Sequence, residues 1–92
     1  MVNAIKNDNL VSVLNVRERE ICGEKAIYRL IKIDLFGRDV YVVTVSLGVE
    51  NVEAIIGDNE IEANKFFLDI CENSVTPCTF FDIFSDFNSK IQ

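Results

Sequence analysis

The chain has few side chains able to do chemistry, and their spacing limits what each can do. Asp82 and Asp86 lie four apart, so on a helix both carboxylates leave one face, the arrangement a paired acid and base or a magnesium site uses. That face lies opposite a phenylalanine stripe and also holds Ser85 and Ser89, so it reads as a solvated helix surface where carboxylates behave ordinarily. The three cysteines Cys22, Cys71 and Cys78 invite a nucleophilic or metal reading. A thiol nucleophile needs a histidine, a neighbouring cation or a helix N-terminus to lower its pKa. Only Cys78, just after Pro77, comes near that condition, and its neighbours are acidic. Zinc sites usually hold two ligands in a tight C-x2-4-C spacing. Cys71 and Cys78 are wider apart and the chain has no histidine, so no metal and no cofactor is expected. The cysteines read as reduced thiols, an odd number being poor material for a disulfide framework.

One further group has ligand-binding chemistry. Tyr28 and Tyr41 fall on neighbouring predicted strands with Arg29 and Lys32 close by, a combination suited to a small anion or a base. The competing reading is an aromatic cross-strand pair that only stabilises a sheet.

The elements that must position these residues follow from hydrophobic period. Six of the seven phenylalanines (Phe66, Phe67, Phe80, Phe81, Phe84, Phe87) lie in the last third, while the first half carries β-branched runs. A change from period two to period 3.6 predicts an α+β fold, in which an antiparallel sheet of about four strands in a meander is followed by two C-terminal helices packed on one face. The first strand covers Leu10–Arg19, with Leu10, Leu14 and Val16 expected on one face and Val11, Ser12 and Val13 on the other. Ala26–Phe36 is the second, with Ile27, Ile31, Ile33 and Leu35 as its apolar side and Ala26, Tyr28, Leu30, Lys32 and Asp34 as the more solvated one. A type II′ turn at Gly37-Arg38 leads into Val40–Leu47, and Asn51–Ile56 is the fourth strand. Asn59 with Glu62 reads as an N-cap pair opening a helix that Val75-Thr76-Pro77 ends. A second helix starts at or just after Pro77, with Thr79 and Asp82 as its cap pair. Phe67, Ile70, Phe80, Phe84 and Phe87 are the expected core.

Residues 1–92 read as a single domain, with residues 1–9 as a disordered stretch or short lead-in. The chain shows neither a signal peptide nor an apolar run of membrane-spanning length, so the expected location is cytosolic, away from membranes. The net charge is −6, distributed as seven Lys/Arg against six Asp/Glu in residues 1–48 and two against nine in residues 49–92. An acidic helical half repels phosphate backbones, so nucleic acid is not an expected partner.

Apolar residues off the helix stripes carry the functional expectation. Phe81 lies about 90° from the centre of its stripe, and Ile61 and Leu68 about 100° or more from theirs. They either close the contact between the helices or form the edge of an intermolecular patch. The sequence thus predicts a small non-catalytic protein-interaction module, a homodimer or a binder of another protein, with Ile61, Leu68 and Phe81 at the interface. The alternative is a small-ligand-binding protein or enzyme using Tyr28, Arg29 and Tyr41.

The segment Glu60–Phe87 (EIEANKFFLDICENSVTPCTFFDIFSDF) resembles the C-terminal part of a family of short uncharacterised proteins from spore-forming anaerobic bacteria. The likeness rests on Glu62-Ala63, Phe67, Val75, Pro77, Asp82-Ile83 and Asp86-Phe87. It implies a small bacterial cytosolic protein and brings no catalytic or ligand residues with it.

Overall fold

Three two-residue turns shape the first half of the chain into a sheet. In the computed structural model, which describes residues 11–91 and side chains as far as Ser85, strand β1 (Val11–Ile21) turns into β2 (Glu24–Leu35), β2 into β3 (Arg38–Leu47) and β3 into β4 (Glu50–Gly57). The sheet is antiparallel in the order β1-β2-β3-β4. Expectations for residues 1–9 and Leu10 fall outside the described residues, and those for Asp86 and Phe87 outside the described side chains.

The turns explain the tight meander. Cys22-Gly23 (φ 52° and 82°) and Phe36-Gly37 (φ 55° and 84°) carry positive φ at both central positions, the signature of type I′ turns, whose twist matches that of the strands they join. At Gly48-Val49 only the glycine is positive, at 61°, as in a type II′ turn. The second turn is therefore centred on Phe36-Gly37, one residue earlier than the expected Gly37-Arg38. The Asp34 carboxylate accepts the Gly37 N–H at 2.9 Å and holds that register, an Asx-type bond that favours the earlier turn.

Helix α1 (Glu60–Glu72) opens as predicted, with the Asn59 side chain accepting the Glu62 N–H at 3.0 Å. It closes in a Schellman motif: Val75 N–H reaches the Ile70 carbonyl at 3.1 Å, and Ser74 N–H the Cys71 carbonyl at 3.3 Å. Ser74 takes the left-handed position at φ 51°, where glycine is the usual occupant. Helix α2 (Pro77–Ile91) starts on Pro77, whose missing N–H costs nothing in the first turn. Its cap lies three residues before the expected Thr79 and Asp82 pair. Thr76 occupies the cap position, and Thr79 Oγ1 accepts the Thr76 N–H at 3.2 Å, because the proline fixes where the helix can begin.

Helix α1 lies over β2, β3 and β4 and helix α2 over β3 and β4, on the same face of the sheet. Phe67, Ile70 and Phe80 are fully buried there, with Phe84 half-buried against them. Phe66 joins the helices edge-on, its ring 5.9 Å from Phe80 and 6.0 Å from Phe84, a geometry aromatic quadrupoles favour.

The sheet residues in that core correct the sequence expectation. Ala26, Tyr28 and Leu30 are buried under the helices, whereas Ile27, Ile31 and Ile33 face the other way and are half-exposed, and Leu35 is exposed at the strand end. The register places Tyr28 opposite Val45 and Leu30 opposite Val43, so the core face of β2 follows the densest face of β3. In β1 a bulge at Leu14, between Val13 and Asn15, shifts the alternation by one residue. Val11, Val13 and Val16 thereby share one face, where the sequence had divided Val16 from the other two.

Two substitutions test this packing by chemical denaturation. Ser74→Gly relieves a left-handed conformation that costs an L-residue roughly 1–2 kcal/mol, so its midpoint should rise. Phe80→Ala should cost about 3–5 kcal/mol, and the half-buried Phe84 less when truncated to alanine.

Candidate functional site

The helix-covered face leaves little for chemistry. Tyr28 is 0% exposed and its hydroxyl donates to the Val75 carbonyl at 2.8 Å, so the side chain spans the core from sheet to interhelical turn. Tyr41 is buried on the same face, its hydroxyl directed at Glu60 Oε1 at a long 3.4 Å. Arg29 alternates to the opposite face, beside Val16 and Thr44. The expected Tyr28, Arg29 and Tyr41 site is thus divided by the sheet itself, since adjacent residues of a strand point to opposite sides. Burial raises the pKa of the Tyr28 and Tyr41 phenols, and the neighbouring Glu60 adds to the effect at Tyr41.

The other chemical candidates are equally separate. Cys71 is buried in the core, and desolvation pushes its thiol upward despite Arg17 and Arg19 nearby, the opposite of nucleophile activation. Cys22 is exposed at the first turn and Cys78 at the start of α2. Asp82 is exposed on α2, and Asp86 lies outside the described side chains. Among the described residues no three His, Cys, Asp or Glu side chains converge as a metal site would require. No described helix is long and apolar enough to cross a membrane.

The expected interface residues do not form one patch. Leu68 is half-buried against the core, so it belongs to the intramolecular packing. Ile61, 77% exposed, stands beside Leu14, Asn15 and Leu30 on the flank of α1. Phe81, 53% exposed, sits on α2 with its ring 5.4 Å from Phe80.

A larger set of apolar residues lies on the face of the sheet opposite the helices, where the sequence reading had put the core. The strand registers line up its side chains in rows across the strands. Val11, Ile33 and Val40 make one row; Val13, Ile31, Val42 and Ile55 make the next. In these rows exposure is confined to the outer strands: Val11 is 44%, Val13 55% and Ile55 65% exposed, whereas Val42 is 6% exposed and Ile31, Ile33 and Val40 are half-buried. A groove of about 620 Å³ follows these rows and reaches Glu53, Ala54 and Phe84, the last two from the helix-covered side. The third row is mixed: Val16, Arg29, Thr44 and Glu53. Thr44 is 8% exposed, and its buried hydroxyl has no hydrogen-bond partner among the described residues, a condition that costs free energy. Beyond it the face turns polar, with Glu18, Ile27, Ser46 and Asn51 in the fourth row.

The signal for this surface was present in the alternation of β2 and β3. Both strands carry apolar residues on both faces, more than two helices covering one face can bury. The chain matches no known protein family, no curated protein and no solved structure, so these residues are read from their geometry alone.

A pH titration of stability checks the buried phenols and thiol. Their ordinary values are 10.0 for Tyr28 and Tyr41 and 9.0 for Cys71, each raised in the fold. The unfolded chain therefore ionises first as pH rises, so stability is complete below about pH 9 and falls as pH climbs through and beyond about 10. Tyr28→Phe should lessen that alkaline loss. At neutral pH it should cost about 1–3 kcal/mol, because the buried Val75 carbonyl loses its donor.

Proposed function

We propose that this chain is a non-catalytic protein-interaction module of the cytosol that works as a homodimer, pairing through the open face of its sheet. The observation that carries the reading is the pair of apolar cross-strand rows from Val11 to Ile55 on the face opposite the helices. Val11, Val13 and Ile55, on the outer strands of these rows, are exposed, and exposed apolar groups of this kind mark association surfaces when they cluster. Three unbridged cysteines suit a reducing compartment. The edge strand β1 carries the run Arg17-Glu18-Arg19-Glu20, and such charges discourage strand addition at that edge, which turns association toward the face.

A second reading has its own observation. The groove of about 620 Å³ falls in the volume range of small-molecule sites, so an apolar ligand competes with a second copy for the same rows.

Sedimentation at micromolar concentration tests the module. The wild type is expected to run as a dimer that tolerates high salt, apolar contact being little screened. Val13→Lys combined with Ile55→Lys, both at exposed positions, should yield a folded monomer. Ile61→Glu and Phe81→Glu should leave the dimer intact. A dimer lost with Phe81→Glu but kept with the two lysines would move the interface to the helices, and a monomeric wild type would end the homodimer reading.

A further inference from the structure

The turn joining β2 and β3 carries strain with no packing to offset it. Phe36 occupies the first central position of a type I′ turn, at φ 55°, where a bulky L-residue is strained and asparagine or glycine is the ordinary choice. Its side chain is nonetheless fully exposed, so the aromatic ring gains nothing from its own chain. Strain kept at a fully exposed aromatic points to a use outside the chain. The position of the turn gives that use a place. Leu35, paired with Arg38 across the turn, is also exposed and lies on the face opposite the helices, because it alternates with Ile33 and Ile31 along β2. The apolar rows therefore run on to this turn at one end of the sheet. The other fully exposed turn hydrophobic, Val49, stands at the opposite end, beyond the polar row.

Resting on the homodimer reading, we infer that Phe36 of each copy inserts into the groove of the other, the two contacts related by a twofold axis that crosses the strands near Ile33. The groove of about 620 Å³ has the buried Val42 on its floor and the exposed Val11 and Ile55 on its sides. Such a shape receives a projecting ring, which lies against the exposed sides and asks nothing of the buried residues of β3. Ring and groove stand at the same end of the molecule, so a single rotation satisfies both contacts and closes the pair, where a head-to-tail contact generates rings or open-ended filaments. The areas agree with this arrangement. A phenylalanine buries roughly 150–250 Å², so two rings and the groove surfaces they cover remove roughly 600–1,000 Å² of the roughly 1,600 Å² of a standard interface. Leu35, Val11, Val13 and Ile55 surround the rings and supply apolar surface toward the remainder. An aromatic anchor seated in a pocket and ringed by smaller contacts is the form that binding hot spots take.

Phe36→Asn tests the inference because stability and association should move in opposite directions. At a dilution where the wild type is dissociated, the chemical-denaturation midpoint of the variant should exceed that of the wild type, asparagine being at ease in the left-handed position. The dimer Kd should rise about a hundredfold or more, so that at micromolar concentration the variant sediments as a folded monomer where the wild type is a dimer. Mixing supplies an independent check. Phe36→Asn keeps its groove, and the double variant Val13→Lys with Ile55→Lys keeps its phenylalanine, so a mixed pair retains one of the two exchanged contacts and should form a heterodimer weaker than the wild-type dimer. Association only on mixing cannot arise within one chain. A Phe36→Asn variant that stays dimeric, or a mixture that associates no more than its components, overturns the exchange while leaving the homodimer standing. A lowered midpoint at dilution shows that Phe36 serves its own fold and overturns the exchange as well. A monomeric wild type overturns both.

Discussion

The hydrogen bond from the Tyr28 hydroxyl to the Val75 carbonyl fixes how the two halves of this protein meet. Val75 closes the Schellman turn of α1 through its N–H and is itself buried, so its carbonyl has no access to water. Tyr28 supplies the missing donor from the middle of β2. Because the phenol must reach the interhelical turn, Tyr28 has to point toward the helices, and the pleat then sends Ala26 and Leu30 the same way and Ile27, Ile31 and Ile33 the other. One side-chain bond thus agrees with the choice of which sheet face becomes core and which remains open. The choice also sets the helix order: α1 approaches from Asn59, turns at Ser74, and α2 returns from Thr76 over β3 and β4.

Much of this architecture was legible in the sequence, since strand number, meander order, the Asn59 cap and the proline break each have a local physical cause. The face of β2 was not. Hydropathy ranks isoleucine above tyrosine, so Ile27, Ile31 and Ile33 looked like the buried side, yet a phenol that satisfies a buried carbonyl is as well suited to a core as an isoleucine. Only the tertiary position of Val75, 47 residues away, reveals that. The Leu14 bulge was hidden for a related reason. Nothing local marks the extra residue, and its effect, which brings Val16 onto the face of Val11 and Val13, appears only through pairing with β2.

The candidate site was obscured by the same inversion. Tyr28, Arg29 and Tyr41 are neighbours in sequence pattern, but a strand separates Arg29 from Tyr28 by the thickness of the sheet. On the helices, residues off the main stripe proved to be of different kinds. Leu68 contributes to the core, while Ile61 and Phe81 stand exposed on separate helices. A helical wheel measures angle from a stripe; it does not say how wide a face the sheet will cover.

Two helices can bury one face of a four-stranded sheet, and the amino acids on β2 and β3 supply enough apolar surface for two. The excess is ordered, since the bulge in β1 and the registers of β2, β3 and β4 gather it into adjacent rows at one end of the open face, with Arg29, Thr44 and Glu53 beyond them. Random leftover hydrophobicity would be scattered along the strands and would need no bulge to align it. Rows that end at Arg29, Thr44 and Glu53 instead give the face a direction, apolar at one end and polar at the other. In the homodimer proposed above, the apolar rows would supply contact area and the third row would limit the orientations that use it.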